Sequence, residues 1–150
     1  MRAVIQRVSC ASVTIEQKKT ASIDQGLLIL LGIESQDSQE DIDWLCNKII
    51  GLRIFNDQYG IMNCSASDLD AQLLVVSQFT LFAKTKKGNR PSYIKAAPPS
   101  VSIPLYESFI STIQKQCTQK VETGEFRADM KIDLINDGPV TIIIDTKKKE

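Results

Sequence analysis

The chain has 150 residues, of which 43% are hydrophobic and 24% are charged, and its formal net charge is zero. This length and composition predict a single globular domain, residues 1–150, that is large enough to bury a core. The absence of net charge argues against a polyanion-binding surface spread over the whole molecule. Any contact with nucleic acid must therefore come from a local patch.

The chain contains no histidine, and its four cysteines form no C-x-x-C pair. Neither a Ser-His-Asp nor a Cys-His nucleophile system can be built from it, and zinc sites that use histidine are excluded. A zinc ribbon or a dithiol redox site is also disfavoured, so we expect no metal and no cofactor. We expect each cysteine to be a small residue that is buried or half-buried. The four are Cys10, Cys46, Cys64 and Cys117. Reduced thiols are typical of a cytoplasmic protein, so we expect that location.

The N-terminal sequence is too polar for the apolar region of a signal peptide. The longest apolar run, residues 27–33, is far too short to span a bilayer. The sequence therefore predicts a soluble protein without a membrane segment.

The first third of the chain favours strands. Residues 2–8 and 12–16 are rich in valine, isoleucine and threonine, with a predicted break near residues 9–11. Residues 18–26 predict the second arm of a hairpin, and the run LLILLGI at 27–33 predicts a buried central strand.

A helix is predicted next. Ser38 and Asp41 form a weak capping box, and apolar residues then recur at helical spacing: Ile42, Leu45, Cys46, Ile49 and Leu52. Trp44 lies off this apolar stripe, where it is available to a partner surface.

The second half predicts further strands and one more helix. Residues 53–57 predict a short strand, and residues 71–83 a second buried strand. A polar loop precedes a helix from about residue 102 to about residue 117, with Pro104 tolerated in its first turn. Two final strands, 128–137 and 140–145, complete an α+β domain whose mixed or antiparallel sheet is rolled into a barrel-like core beside two main helices.

The segment NDGPVT, residues 136–141, contains more than a turn requires. Asn-Asp-Gly is already a turn signal between two strands. Pro139 then removes a backbone donor where the last strand should begin pairing. Either Pro139 occupies a harmless first strand position, or the Gly138–Pro139 peptide has a function of its own.

Polar residues follow the apolar part of the 71–83 strand, at Ser77, Gln78 and Thr80. They either bond to neighbouring backbone or line a cavity. In the second case Gln78 can donate and accept hydrogen bonds, and the N–H groups of Phe79 and Thr80 can face a developing oxyanion.

The loop of residues 84–95 carries five basic residues and no acidic one. It is either a solvated loop or a phosphate-binding rim whose candidates are Lys86, Lys87 and Arg90. Tyr93 either stacks on a base or packs locally. Arg7 lies in a strand otherwise suited to burial, so it is either an edge charge or an anchor for backbone carbonyl groups.

Several segments, in the same order along the whole chain, resemble the D-aminoacyl-tRNA deacylases of bacteria and eukaryotes. The most specific pair is SQFTL at 77–81 and NDGPVT at 136–141. The others are MRAVIQRVSCASVTI, GLLILLGIE, KIIGLRIF, NRPSYIKAAPP and VETGEFRADMKIDL.

The resemblance implies a metal-free, cytoplasmic homodimer that hydrolyses the ester between a D-amino acid and the terminal adenosine of tRNA, and that also removes mischarged glycine. Residues 77–80 fall on the family's substrate-binding strand. Gly138 and Pro139 fall on a cross-subunit motif with a cis peptide bond, which excludes L side chains from the partner's pocket. Arg7 matches the residue that holds this motif, and Met130 matches a residue that lines the site.

For catalysis, the resemblance implies assistance by the terminal ribose 2′-hydroxyl, with backbone amides stabilising the oxyanion. Thr80 as the nucleophile is the competing mechanism, but no side chain resembles its activating base. Phe82 and Lys84 depart from the family pattern, where tyrosine and an acid are common. Two alternative functions remain: an esterase that uses Thr80 on small esters, and a non-catalytic module that binds the end of tRNA.

Overall fold

The computed structural model describes all 150 residues. Two α-helices and eight strands follow one another along the chain. They are β1 (Arg2–Ile15), β2 (Lys18–Ile23), β3 (Gly26–Gly32), α1 (Gln39–Gly51), β4 (Phe55–Asn56), β5 (Met62–Cys64), β6 (Gln72–Ser77), α2 (Pro99–Gln116), β7 (Val121–Thr123) and β8 (Lys131–Asp145). No helix is long and apolar enough to cross a membrane.

Strand β1 organises the main sheet, whose order is β2-β1-β3-β6-β7, with β8 on the other side of β1. The pairs β3–β6 and β6–β7 are parallel, whereas β1 pairs antiparallel with β2, β3 and β8. This mixed sheet, nearly closed into a barrel beside two helices, confirms the predicted fold class.

The predicted break near residues 9–11 is wrong, because β1 is continuous. What changes there is its neighbour. Arg2–Val8 pair with β3, whereas Ala11–Ile15 pair with β2. The strand therefore bends from one sheet neighbour to the next without ending.

Strand β3 is buried on both faces, as its unbroken apolar sequence predicts. Leu27, Ile29 and Leu31 pack in a larger cluster with side chains of α1 and α2. Leu28 faces the other way, into a smaller cluster with residues such as Val13 and Leu74. The helices thus cover one face of the sheet, and β1, β2 and β6 enclose the other cluster with β3.

Helix α1 begins after Ser38, and the predicted capping box is present. The Ser38 N–H donates to Oδ2 of Asp41 at 2.9 Å, and Lys147 Nζ donates to the same oxygen at 2.7 Å. Burial alone would raise the pKa of Asp41, but the hydrogen bonds from Lys147 and from the Ser38 backbone outweigh it and hold the pKa well below the usual range. The apolar stripe is buried from Ile42 to Ile49, with Leu52 half-buried.

Three of the four cysteines meet the expectation of burial or half-burial, whereas Cys10 is exposed, so that expectation is wrong for Cys10. None is in a disulfide. Burial raises the pKa of Cys46 to about 12, and it also raises the pKa of Cys117. Neither thiol is therefore a thiolate near neutral pH.

We predict that Asp41→Asn destabilises the protein by about 1–2 kcal/mol at pH 7, because it removes a charge-assisted bond and the negative charge at the start of α1. The folded pKa of Asp41 is lowered, so its ionisation stabilises the folded state above the unfolded pKa of about 4 and is lost as pH falls. Urea unfolding at pH 7 and at pH 3 should show the difference from wild type shrinking at the lower pH.

The matched control is Asp43→Asn, on an exposed position of the same helix. It should change stability little at either pH. A destabilisation by Asp41→Asn that is equally large at pH 3 would contradict the ionic origin of the effect.

Candidate active site

The polar end of β6 does not continue as a strand. The prediction of a strand through residue 83 is wrong, because β6 ends at Ser77 and Phe79–Phe82 form a short 3-10 helix. The backbone turns at Gln78, whose N–H donates to the Leu31 carbonyl at 2.8 Å. We call Phe79–Phe82 the site turn.

Gly32 lets the site turn pack closely on the end of β3. A Cβ at this position would lie 3.1 Å from the Gln78 carbonyl oxygen and 3.1 Å from a ring carbon of Phe82. Both distances are shorter than a Cβ normally has to its neighbours, so the absence of a Cβ at Gly32 allows the site turn to pack against β3.

A cavity of about 440 Å³ opens beside the site turn. Nine of its 14 lining residues are hydrophobic, so its walls suit an apolar side chain more than a charged group. The lining residues are Leu31, Ile33, Val76, Ser77, Gln78, Phe79, Ala97, Ser102, Phe126, Arg127, Ala128, Asp129, Met130 and Ile132.

Four predicted site residues meet at this cavity: Ser77, Gln78, Phe79 and Met130. Thr80 is next in the turn, and its hydroxyl accepts a hydrogen bond from Nε2 of Gln78. A hydroxyl in this arrangement has an amide as its neighbour, not a base that could take its proton.

Phe79 is 57% exposed, and its ring meets Tyr93 edge to face, with 5.0 Å between the centroids. Tyr93 therefore packs locally, which was one of its two predicted roles. The two residues join the cavity rim to the basic loop.

The basic loop is pinned at its base by two backbone hydrogen bonds between Lys84 and Ser92. Lys86, Lys87 and Arg90 are exposed and do not line the cavity. Their charges therefore lie outside the cavity, on the loop that also carries Tyr93.

The segment NDGPVT is not a hairpin turn, so that prediction is wrong. Strand β8 continues through it and pairs with β1 on both sides, with Gln6 opposite Thr141 and Val8 opposite Asn136. Between these pairs, Arg7 alone faces the four residues 137–140, which form a bulge. The Gly138–Pro139 peptide in this bulge is cis, as predicted.

Hydrogen bonds from Asn136 and Arg7 hold the bulge. The Val140 N–H donates to Oδ1 of Asn136 at 2.9 Å. Arg7, whose side chain is 7% exposed, donates from Nε to the Asp137 carbonyl at 3.1 Å and from Nη1 to the Ile54 carbonyl at 2.6 Å. Arg7 is therefore a buried anchor that ties the bulge to the segment before β4.

Gly138 and Pro139 are exposed and do not line the cavity of their own chain. Strand β8 pairs only with β1, so its other edge is free, and Ile135 and Ile143 are 60% and 70% exposed. The bulge thus projects from an open, partly apolar strand.

The segment before β8 supplies cavity residues that the sequence did not reveal. Phe126, Arg127 and Asp129 line the cavity. Phe126 and Arg127 lie within a turn of residues 125–128, and Asp129 follows it. Gly124 announces a turn, but nothing in the local sequence shows that this turn meets the end of β6 at a cavity.

The chain matches other proteins over almost its whole length. A family model described as D-Tyr-tRNA(Tyr) deacylase matches residues 4–145. The chain belongs to the D-Tyr-tRNA(Tyr) deacylase family. The predicted family is confirmed.

Curated relatives of this deacylase family extend the match to full length. A D-aminoacyl-tRNA deacylase of Flavobacterium johnsoniae is 61% identical over 150 residues, which is 100% of both chains. One from Bacteroides fragilis is also 61% identical over 100% of both chains. The predicted enzyme class is the class named for these relatives.

Two solved structures share the fold of this chain. One is described as c-Myc DNA Unwinding Element Binding Protein, with a TM-score of 0.92 and 37% identity over 97% of this chain and 98% of that one. The other is described as a probable eukaryotic D-amino acid tRNA deacylase, with a TM-score of 0.81 and 16% identity over 95% and 97% of the two chains. At that identity, the second match shows the fold alone.

We predict that Gly138→Ala destabilises the protein, because the φ of Gly138 is +124° and an added Cβ would lie 2.8 Å from Nη2 of Arg7. Arg7 can retreat only by breaking its bonds to backbone carbonyls. Urea unfolding should show a loss of about 1–3 kcal/mol.

Gly60→Ala is the control, because Gly60 has a φ of +77° but nothing within 4 Å of an added Cβ. It reports the cost of a Cβ at a less extreme positive φ, without any steric contact. If Gly138→Ala loses no more free energy of unfolding than Gly60→Ala, the neighbours of Gly138, which are Arg7 and Val140 Cγ2 at 2.9 Å, do not confine the bulge.

Proposed function

We propose that the protein hydrolyses the ester bond between a D-amino acid and the terminal adenosine of tRNA, releasing the free D-amino acid and tRNA. One observation carries the proposal: a chain of the D-Tyr-tRNA(Tyr) deacylase family encloses an apolar cavity whose mouth is bordered by the site turn. The whole chain, residues 1–150, acts as one domain in the cytoplasm, where tRNA is charged.

The reaction needs an attacking water and a place for the negative charge that develops on the ester carbonyl oxygen. Water adds to the carbonyl carbon, the bond from that carbon to the ribose 3′ oxygen breaks, and the 3′ oxygen takes a proton. The backbone N–H groups of Phe79 and Thr80 meet the oxyanion. The hydrogen bonding of the site turn supports this assignment. The first N–H that donates within the turn is that of Leu81, to the Gln78 carbonyl at 3.3 Å. The N–H groups of Phe79 and Thr80 precede it and are therefore not used by the turn.

The proton transfers use the terminal ribose 2′-hydroxyl, and the mechanism calls on no resident metal or cofactor. Gln78 orients the substrate and holds the Thr80 hydroxyl. With no histidine in the chain, Thr80 lacks the partner that activates hydroxyl nucleophiles in other enzymes. An aminoacyl ester is already an activated bond, so positioned amides and the substrate's own hydroxyl suffice.

Chiral selection follows from a homodimer in which each subunit inserts Gly138–Pro139 into its partner's cavity. Two observations support it. The bulge is exposed yet anchored by a buried arginine, and it does not reach its own cavity. In the partner, the backbone of the bulge accepts the substrate ammonium and fills the space of an L side chain. Glycine has no side chain to exclude, so glycyl-tRNA is also hydrolysed.

The basic loop contacts the tRNA beyond its last nucleotide. Lys86, Lys87 and Arg90 are exposed and unscreened by acidic neighbours within residues 84–95, which suits contacts with phosphate groups. These contacts add affinity without selecting a sequence.

The decisive test compares purified protein on D-tyrosyl-tRNA and L-tyrosyl-tRNA. We expect kcat/KM for the D ester to exceed that for the L ester by at least about tenfold, the scale on which a pocket discriminates by shape. Equal rates would contradict chiral exclusion. Binding without hydrolysis of either ester would favour the alternative of a tRNA-end binding module.

We predict that Thr80→Ala keeps most of the activity, because alanine preserves the backbone N–H. Loss of one oxyanion donor typically costs about 10²–10³ in rate, so this variant should lose much less. Replacing the terminal ribose 2′-hydroxyl by hydrogen should cost about 10²–10⁴, the contribution of general acid–base catalysis. Single-turnover hydrolysis of D-tyrosyl-tRNA esterified on the 3′ oxygen measures both.

The reverse result identifies the alternative esterase mechanism. If Thr80→Ala is inactive and the deoxy substrate is cleaved at the normal rate, Thr80 is the nucleophile. Circular dichroism of the variant separates loss of chemistry from loss of fold.

A further inference from the structure

Arg127 has a backbone conformation that suits glycine far better than arginine. The Ala128 N–H donates to the Glu125 carbonyl at 3.2 Å, which closes a turn of residues 125–128. Arg127 is the third residue of this turn and has a φ of +69°. Turns with positive φ at this position normally use glycine or asparagine, because a Cβ is unfavourable there.

The neighbours of Arg127 hold the turn in place. The Gly124 N–H donates to the Val75 carbonyl at 3.0 Å, next to the cavity end of β6. The Phe126 ring packs against Tyr106, with 5.5 Å between centroids, and the buried Tyr106 hydroxyl donates to the same Val75 carbonyl at 3.0 Å. These contacts therefore hold the backbone that carries Arg127 in place.

The guanidinium of Arg127 is free to bind a ligand. Arg127 is exposed, lines the cavity, and takes part in no ion pair or side-chain hydrogen bond of the structure. The other charged residue of the lining is Asp129, whose carboxylate lies 3.6 Å from Lys131 Nζ instead. The cavity mouth therefore has one unpaired positive group, held at the expense of a strained backbone.

We infer that Arg127 binds the phosphate group that joins the last two nucleotides of the tRNA, and so positions the terminal adenosine over the cavity. This inference rests on the proposed function. A guanidinium is suited to a phosphate because its planar donors match two oxygens at once. The cavity lining contains no other cationic side chain, so the basic loop supplements Arg127 and does not replace it.

The test compares Arg127→Gly with wild type on two substrates, D-tyrosyl-tRNA and D-tyrosyl-adenosine, which has no phosphate. Loss of a charge-assisted contact should raise KM for the tRNA by about 10–100-fold, with kcat little changed. Hydrolysis of the nucleoside ester should be unaffected. The dependence of kcat/KM for the tRNA on salt should also weaken, by about 0.7 in the logarithmic slope.

The thermal stability of Arg127→Gly distinguishes phosphate binding from a purely structural role of Arg127, because loss of a structural role would lower it. Glycine relieves the strain at φ +69°, so Arg127→Gly should raise the melting temperature by about 2–4 °C while it weakens tRNA binding. The control is Gln17→Gly in the β1–β2 turn, where φ is +65° and the residue does not line the cavity beside the site turn. It should gain stability with KM unchanged.

Binding of uncharged tRNA, measured by fluorescence anisotropy, keeps this inference separate from the proposed function. If wild type hydrolyses neither ester, the proposed function fails, and weaker tRNA binding by Arg127→Gly still supports the contact. Unchanged tRNA binding and KM in Arg127→Gly would overturn the inference. So would an equal loss on both esters, because the nucleoside ester has no phosphate to bind.

Discussion

The antiparallel pairing of β8 with β1 is the interaction on which both the cavity wall and the Gly138–Pro139 bulge depend. At one end, Lys131 pairs with Thr14, which places Met130 and Ile132 at the cavity. Further along, the register changes around Arg7 and expels the bulge toward solvent. One ladder thus builds a wall of the pocket and displays the element proposed to enter a partner's pocket.

Arg7 makes the bulge a defined structure and not a loop. A buried guanidinium is costly unless its donors are used, and here they reach the carbonyls of Asp137 and Ile54. The Asp137 carboxylate, 3.3 Å from Nε, lowers the cost further. Because both bonds are accepted by backbone carbonyls, Arg7 constrains the path of the backbone whatever side chains those residues carry.

Gly138 and Arg127 both have a positive φ, but they differ in the side chain that occupies the position. At Gly138 the backbone has a positive φ and the residue has no side chain, which leaves room for the Arg7 guanidinium. At Arg127 a similar constraint is met by a large charged residue. The conformation at Gly138 leaves room for the Arg7 guanidinium, whereas the conformation at Arg127 closes a turn and places an unpaired guanidinium at the cavity.

The sequence by itself determined the fold class, the order of the main elements, α1 with its cap, and the two motifs around Ser77 and Gly138. These follow from periodicity and turn chemistry, which are local. Only the tertiary structure decided that 79–82 leave the strand, that NDGPVT is a bulge within β8, and that Arg127 lines the cavity. Those features depend on which strand faces which, and strand pairing joins residues far apart in the chain, where local patterns carry no information.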